Sequence, residues 1–189
     1  PAEDRRQSDI GGGGVEGLDT GDVLLVRKRA IGPDETSADL FDALARLSGD
    51  VIHDALPDLA AGRLTRVPQD HAAHTLAPLL DREDGFVDFR TAAKVLVDRL
   101  RGFTPWPGAT LFLGGKPLKL HRASVGPSTG TAPGTVTQVG ETIDVETPDG
   151  VLRLHEVQPE NRKRMTAAQF LAGHPLAPGD RFDAPPPRS

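Results

Sequence analysis

Cysteine is absent from the 189 residues, which excludes disulfide staples, cysteine-based zinc sites and a cysteine nucleophile. No apolar run approaches the roughly 20 residues that a membrane-spanning helix needs. The opening residues Pro1-Ala2-Glu3-Asp4-Arg5-Arg6 lack the apolar core of a secretory signal, so a cytoplasmic location is the default expectation. Asparagine is almost missing as well: Asn161 is the sole one, and the first histidine is His53. Trp106 is the single tryptophan. What remains, with 37% hydrophobic residues, fits a polar globular chain long enough for one or two domains.

Charge is unevenly divided within the net −5. Residues 1–87 carry 9 Lys and Arg against 17 Asp and Glu, net −8, whereas residues 88–189 carry 13 against 10, net +3. Such a split suggests two modules with different partners, and only the second half is a candidate for touching a polyanion. An excess of three is modest, and on charge alone ordinary surface variation explains it equally well.

Residues 1–14 show no periodicity and end in Gly11 to Gly14; they read as disordered or as an aberrant start. No strand precedes these glycines and no Lys-Ser/Thr follows, so they do not make a phosphate-binding loop. Gly17-Leu18-Asp19-Thr20-Gly21-Asp22 reads as a tight acidic loop, and Val23 to Ala30 as a largely buried strand that follows it. Thr36 with Asp39 predicts a helix start resembling a capping box. Leu40, Phe41, Leu44, Leu47, Val51, Ile52, Ala55 and Leu56 continue that helix as one apolar stripe packed on a sheet, with Pro57 kinking or restarting it and Gly62 ending it. Residues 63–87 read as a linker or strap.

Asp88 to Gly102 predicts a second helix. From there the pattern is β: Ala109–Leu113 and Pro117–Val125 as a hairpin about Gly114-Gly115, then Thr135–Val139, Thr142–Thr147 and Val151–Val157. Five short strands in about 50 residues suggest a small OB-type barrel. Thr166 caps a short helix stopped by Gly173, and the residues from Asp183 onward read as a tail.

Three stretches together resemble methionyl-tRNA formyltransferase: Gly17-Leu18-Asp19-Thr20-Gly21-Asp22; Arg101-Gly102-Phe103-Thr104-Pro105-Trp106-Pro107-Gly108-Ala109; and Leu154 through Met165 with Ala167-Ala168-Gln169-Phe170-Leu171. Val67-Pro68-Gln69-Asp70 and Asp84 to Phe89 add to the likeness, which covers about residues 15–183. The resemblance implies an α/β remnant (the C-terminal end of a Rossmann-like formyltransferase domain) over residues 15–87. It also implies an all-β OB-like barrel domain with flanking short helices, a tRNA-binding domain, over residues 88–183, with residues 184–189 as the tail.

The implied activity is transfer of a formyl group from 10-formyltetrahydrofolate, as co-substrate and without a metal, to the amine of initiator methionyl-tRNA. Such acyl transfer needs an oxyanion donor and a base for the amine proton. The family uses an Asn, a His and an Asp; Asp19 matches the Asp, and Gly17, Leu18, Thr20 and Gly21 match the loop walling the folate pocket. No Asn or His precedes Asp19, so the chain by itself is expected to be inactive and to be the downstream part of an enzyme. Two other readings stand beside this one, a non-catalytic tRNA-binding module and a sibling formyltransferase acting on a sugar nucleotide. The expected partner is initiator methionyl-tRNA, with no DNA, no membrane and a monomeric state.

The candidate tRNA contacts are Arg101, Lys116, Lys119, Arg122, Arg162, Lys163 and Arg164. On a regular strand Lys119 and Arg122, three apart, face opposite sides, so one of the two is expected to point at the RNA. Trp106 between two prolines reads first as a packing plug where helix meets barrel and second as a base-stacking group. His121, His155 and His174 read as surface or sheet-edge residues. His71 and His74 lack a third ligand and read as solvated linker histidines.

Overall fold

The computed structural model of the protein describes residues 20–188. The sequence expectations for residues 1–14 and for Gly17, Leu18 and Asp19 lie outside the described residues. The chain divides into two compact units, Pro1–Ala30 with Leu44–Pro78, and Ile31–Ala43 with Leu79–Ser189.

In the first unit the segment from Val23 is not the buried strand its sequence suggests. Val23 pairs with Val67 alone, through backbone hydrogen bonds of 2.9 and 3.0 Å. Leu24, Leu25 and Val26 are exposed. A strand is stabilised by neighbours on its edges, and among the described residues this segment has one bridge. Helix α1, Ser37–Ala60, forms as expected, with Pro57 inside it. The Asp39 carboxylate accepts from the Thr36 amide at 3.0 Å and hydroxyl at 2.6 Å, while the Asp39 amide donates to the Thr36 hydroxyl at 3.3 Å. Asp thus serves where Glu or Gln is usual in a capping box. The apolar stripe survives only as half-burial at Leu40, Leu47, Val51 and Ala55, and no residue of α1 is fully buried.

The second unit holds the core. Its strands are β1 (Ala109–Leu113), β2 (Lys116–Gly126), β3 (Val136–Val139), β4 (Ile143–Thr147), β5 (Gly150–Pro159) and β6 (Met165–Thr166), accompanied by α2 (Ala93–Gly102) and α3 (Ala167–Gly173). They form one antiparallel sheet in the order β1-β2-β5-β4-β3, with β6 on β5. The β1–β2 hairpin turns through Gly114 and Gly115, whose φ values of 57° and 72° suit glycine. Leu111, Leu118, Leu120, Ile143, Leu152, Leu154 and Val157 point inward and pack with Leu96, Leu100 and Phe170 from the helices.

Three features depart from the sequence expectations. Helix α2 begins at Ala93, not Asp88, because the Asp88 carboxylate and carbonyl close a turn on Arg90 and Thr91. Its first amide donates at 2.7 Å to the carboxylate of Asp149, a cap supplied from the β4–β5 turn. Leu79 to Val87, read as part of a strap, belongs to this unit, with Val87 buried and its amide bonded to the Thr110 carbonyl at 2.9 Å.

The C-terminal segment is also engaged. Asp180 accepts from the Val136 amide at 2.7 Å, and the Phe182 amide donates to Gly134 at 2.9 Å. The Asp183 amide donates to Phe112 at 2.9 Å, and its carboxylate accepts from Gly115 at 2.8 Å. One short segment therefore spans β1 and the entry to β3, the two ends of the sheet order, and satisfies edge groups on both.

Candidate nucleic-acid interface

The outer face of β2, the β1–β2 hairpin end and the turn after β5 gather six of the seven cations proposed from sequence. Lys116 ends the hairpin and, with Arg162, Phe170 and His174, borders a hollow of about 310 Å³. Lys119, Trp106, Asn161 and Arg82 border a second of about 390 Å³, and both hollows share Pro117, Pro159 and Glu160. Arg122 and Arg164 line a groove of about 780 Å³ beside α2, together with His121, Ser124 and His155. Lys163 is exposed in the turn itself, where Asn161 adopts φ 57°.

The cations differ in what already holds them. Glu156 accepts from Arg122 at 3.1 Å and from Arg164 at closer range. Arg101 donates to the carbonyls of Gly32 and Pro33 and at 2.7 Å to Asp98, so its charge pins the segment preceding α1. Among the described residues no ion pair engages Lys116, Lys119, Arg162 or Lys163. Thr20 and Gly21 belong to the first unit, where the Gly21 carbonyl accepts from the Gln69 amide group at 2.7 Å.

Lys119 and Arg122 do not face opposite sides. The register of β2 on β5 shifts at Leu120/Arg122 and again at Arg122/Ala123, leaving His121 as an extra residue on β2 and His155 as an extra residue on β5. A bulge changes the side on which the following residues emerge. The inward set passes from Leu118 and Leu120 to Ala123, so Lys119 and Arg122 share the outer face.

A family model, "Formyl transferase, C-terminal domain", matches residues 79–175, just over half of the chain and most of the second unit. The chain belongs to the formyl transferase C-terminal domain family. It is 49% identical to a methionyl-tRNA formyltransferase of Myxococcus xanthus, over 88% of this chain and 53% of that protein. Against the methionyl-tRNA formyltransferase of Geobacter sulfurreducens the identity is 46%, over 88% of this chain and 52% of the relative. The chain thus spans about half the length of these curated relatives. Among solved structures, HypX from Aquifex aeolicus in complex with tetrahydrofolic acid superposes with a TM-score of 0.59 at 20% identity. That likeness covers 90% of this chain and 32% of HypX, and it concerns the fold.

Within this formyl transferase C-terminal domain the two histidines lie on inner strands, which corrects the surface-or-edge reading. His121 Nε2 is 2.8 Å from the Gln158 side-chain oxygen Oε1, and His155 Nε2 is 2.7 Å from the Ser124 hydroxyl. Burial lowers the His155 pKa below its ordinary value, and the neighbouring Arg122 and Arg153 push it the same way. Glu156 keeps its charge: burial raises its pKa, but hydrogen bonding and attraction from Arg164 and Arg122 more than offset this. Trp106 is 58% exposed and is not the plug its setting suggests. Sequence reasoning missed Ser124 and Gln158, which carry no signal until the bulges align them with the histidines.

Among the described residues no group of three His, Cys, Asp or Glu side chains is placed to hold a metal. No helix among them is long and apolar enough to cross a membrane.

Proposed function

We propose that this chain is the RNA-binding part of a methionyl-tRNA formyltransferase. The initiator tRNA backbone lies along Lys119, Lys116 and the Arg162–Lys163 turn. The observation that carries this reading is a set of four cations with no ion pair among the described residues: Lys119 on the outer face of β2, Lys116 at the hairpin end beside Leu113, and Arg162 and Lys163 in the turn after β5. Arginine and lysine tied to carboxylates have already given up part of their attraction for phosphate; these four have not. Two relatives named methionyl-tRNA formyltransferase, at 46% and 49% identity, support the choice of RNA.

Under the same proposal Asp19 is the catalytic aspartate that orients the family's histidine or organises the water and amine, and Gly17, Leu18, Thr20 and Gly21 belong to the folate loop. Residues 15–87 are the end of a Rossmann-like domain, and the sheet spanned by the C-terminal segment is an OB-like barrel. The formyl donor is 10-formyltetrahydrofolate and the protein is a cytoplasmic monomer. Asn161, the sole asparagine, sits in the cationic turn and borders the same hollow as Lys119, and the role proposed for this region is RNA binding without formyl transfer.

Retention of initiator tRNA on filters across a salt series tests the binding. Each lost phosphate contact should reduce the slope of log affinity against log salt by about 1. Lys119→Ala, Arg162→Ala and Lys163→Ala should each do so. A salt-insensitive or absent retention overturns the proposal. Formyl-methionine produced above background, from 10-formyltetrahydrofolate and charged tRNA, overturns the claim that the chain does not turn over.

A further inference from the structure

Trp106 is held in a fixed loop, yet most of its ring faces outward. The Gly108 amide donates to the Phe103 carbonyl at 2.8 Å, and the Thr104 hydroxyl donates to the Leu100 carbonyl at 2.6 Å. Gly85 packs on the Gly108 carbonyl so closely that a Cβ there would overlap it. The loop is therefore braced from both sides while the largest aromatic side chain of the domain stays 58% exposed. An indole left in water forgoes the burial that makes tryptophan favourable in a core, so packing among the described residues does not account for its position.

Its surroundings name the occupant. Trp106 borders the 390 Å³ hollow with Lys119, Arg82, Glu160 and Asn161. Across the shared wall of Pro117 and Pro159 stand Lys116 and Arg162. Four cations thus ring the two hollows against the one lining carboxylate, Glu160. Beside Arg82, Asp84 and Asp81 share one cation, Arg188, at 2.6 and 3.6 Å, and Glu83 is a third acid there, outside the lining of both hollows. The amide of Gln158 is fixed at both ends, to His121 at 2.8 Å and to the Arg162 carbonyl at 2.8 Å, so this wall is preorganised. An apolar protein partner would have to strip water from those cations; a nucleotide brings an aromatic plane for the indole and phosphates for the cations.

We propose that Trp106 is a stacking platform for one unpaired nucleobase of the bound RNA, with Lys119, Lys116 and Arg162 receiving the phosphates on either side of it. This rests on the RNA-binding reading above and adds a demand that it does not make, for a single-stranded nucleotide at one place. Stacking of this kind tolerates any base, since each has a π-face.

The chain provides its own probe: Trp106 is the sole tryptophan and there is no tyrosine, so indole emission reports this one site. The full chain is titrated with an oligoadenylate, with an RNA duplex of the same length and with inorganic phosphate. The oligoadenylate should quench emission saturably, and the other two should not. Trp106→Ala should weaken oligoadenylate binding roughly 5- to 100-fold, and Trp106→Phe should retain most of it. Because the wild-type titration needs no variant, misfolding of Trp106→Ala does not decide the outcome. Retained oligoadenylate with unaltered emission, or with affinity unchanged in Trp106→Ala, overturns the stacking site while leaving RNA binding intact. Failure to retain either tRNA or oligoadenylate overturns both.

Discussion

His121 and His155 are the extra residues of two bulges that lie on the paired strands β2 and β5, between the pair Leu120–Val157 and the pair Ala123–Leu154. Each bulge moves its strand's inward-facing set by one position, to Ala123 on β2 and from Leu154 to Val157 on β5, so the core stays continuous through both. On the outer side this aligns Lys119, Arg122 and Ser124 along one face. The bulge at His121 therefore decides that Arg122 emerges on the same side as Lys119.

The position of His155 predicts a pH dependence. Burial, Arg122 and Arg153 lower its folded pKa, so the unfolded chain takes up a proton more readily than the folded one. Stability from this group is then complete above the unfolded value of about 6.5 and falls as pH drops from there toward the folded value. His155→Gln keeps a polar group near Ser124 and removes the titration. Melting temperatures measured from pH 7.5 to 5 should show the wild type losing ground to the variant as pH falls; parallel curves would refute the assignment.

Arg101 should behave as a structural residue. It is one of seven cations chosen by type, but it bonds to Gly32, Pro33 and Asp98, and its side chain is only 25% exposed. The neighbouring Ser37 hydroxyl donates to the Thr104 carbonyl at 2.5 Å, so two contacts hold the start of α1 on the end of α2. Arg101→Ala should cost about 1–2 kcal/mol in urea unfolding and speed proteolysis near Pro33. The salt slope of tRNA binding should stay unchanged, in contrast to Lys119→Ala.

Local chemistry made part of this fold legible. Gly114-Gly115 announced the hairpin, and Thr166 announced α3, which it caps in the structure through a capping box with Gln169. Both signals operate within a few residues. What stayed hidden acts at a distance: Asp149 caps α2 from 56 positions away, the bulges exist only in the pairing of two strands, and the edge contacts of residues 180–183 reach β1 and β3. The cations were visible by type, but their pairing with Glu156 or Asp98 was not. The stretch from Val23 shows the converse, a strand-like composition whose described neighbours give it one bridge.

Glu146 is a buried carboxylate, 1% exposed, that organises the loop between β2 and β3. It accepts from the hydroxyls of Ser128 and Thr129 and from the amides of Thr129 and Gly130. Burial raises its pKa, but these hydrogen bonds more than compensate and hold it below the ordinary range. Its contribution is therefore complete above about pH 4.5 and is lost as pH falls through the folded value. Glu146→Gln places an amide against hydroxyl and N–H donors and should cost about 1–3 kcal/mol at neutral pH. Urea midpoints for wild type and variant should converge toward acid pH; a constant gap would show that the charge is not the stabilising element.

Phe182 carries the heaviest load of the C-terminal segment. It is buried, lies 5.4 Å from Phe89 ring to ring, and belongs to the same core as Val136 and Leu111. Its backbone also bonds to Gly134, between the Asp180 contact to Val136 and the Asp183 contact to Phe112. Phe182→Ala should cost about 3–5 kcal/mol, the range for removing a buried aromatic ring. Deleting residues 179–189 should in addition expose edge groups of β1 and β3, so the Val136 amide should lose most of its hydrogen-exchange protection. Arg188→Ala, by contrast, removes only exposed pairs to Asp81 and Asp84 and should leave that amide protected. If the deletion leaves Val136 protected, the two ends of the sheet are held by something other than this segment.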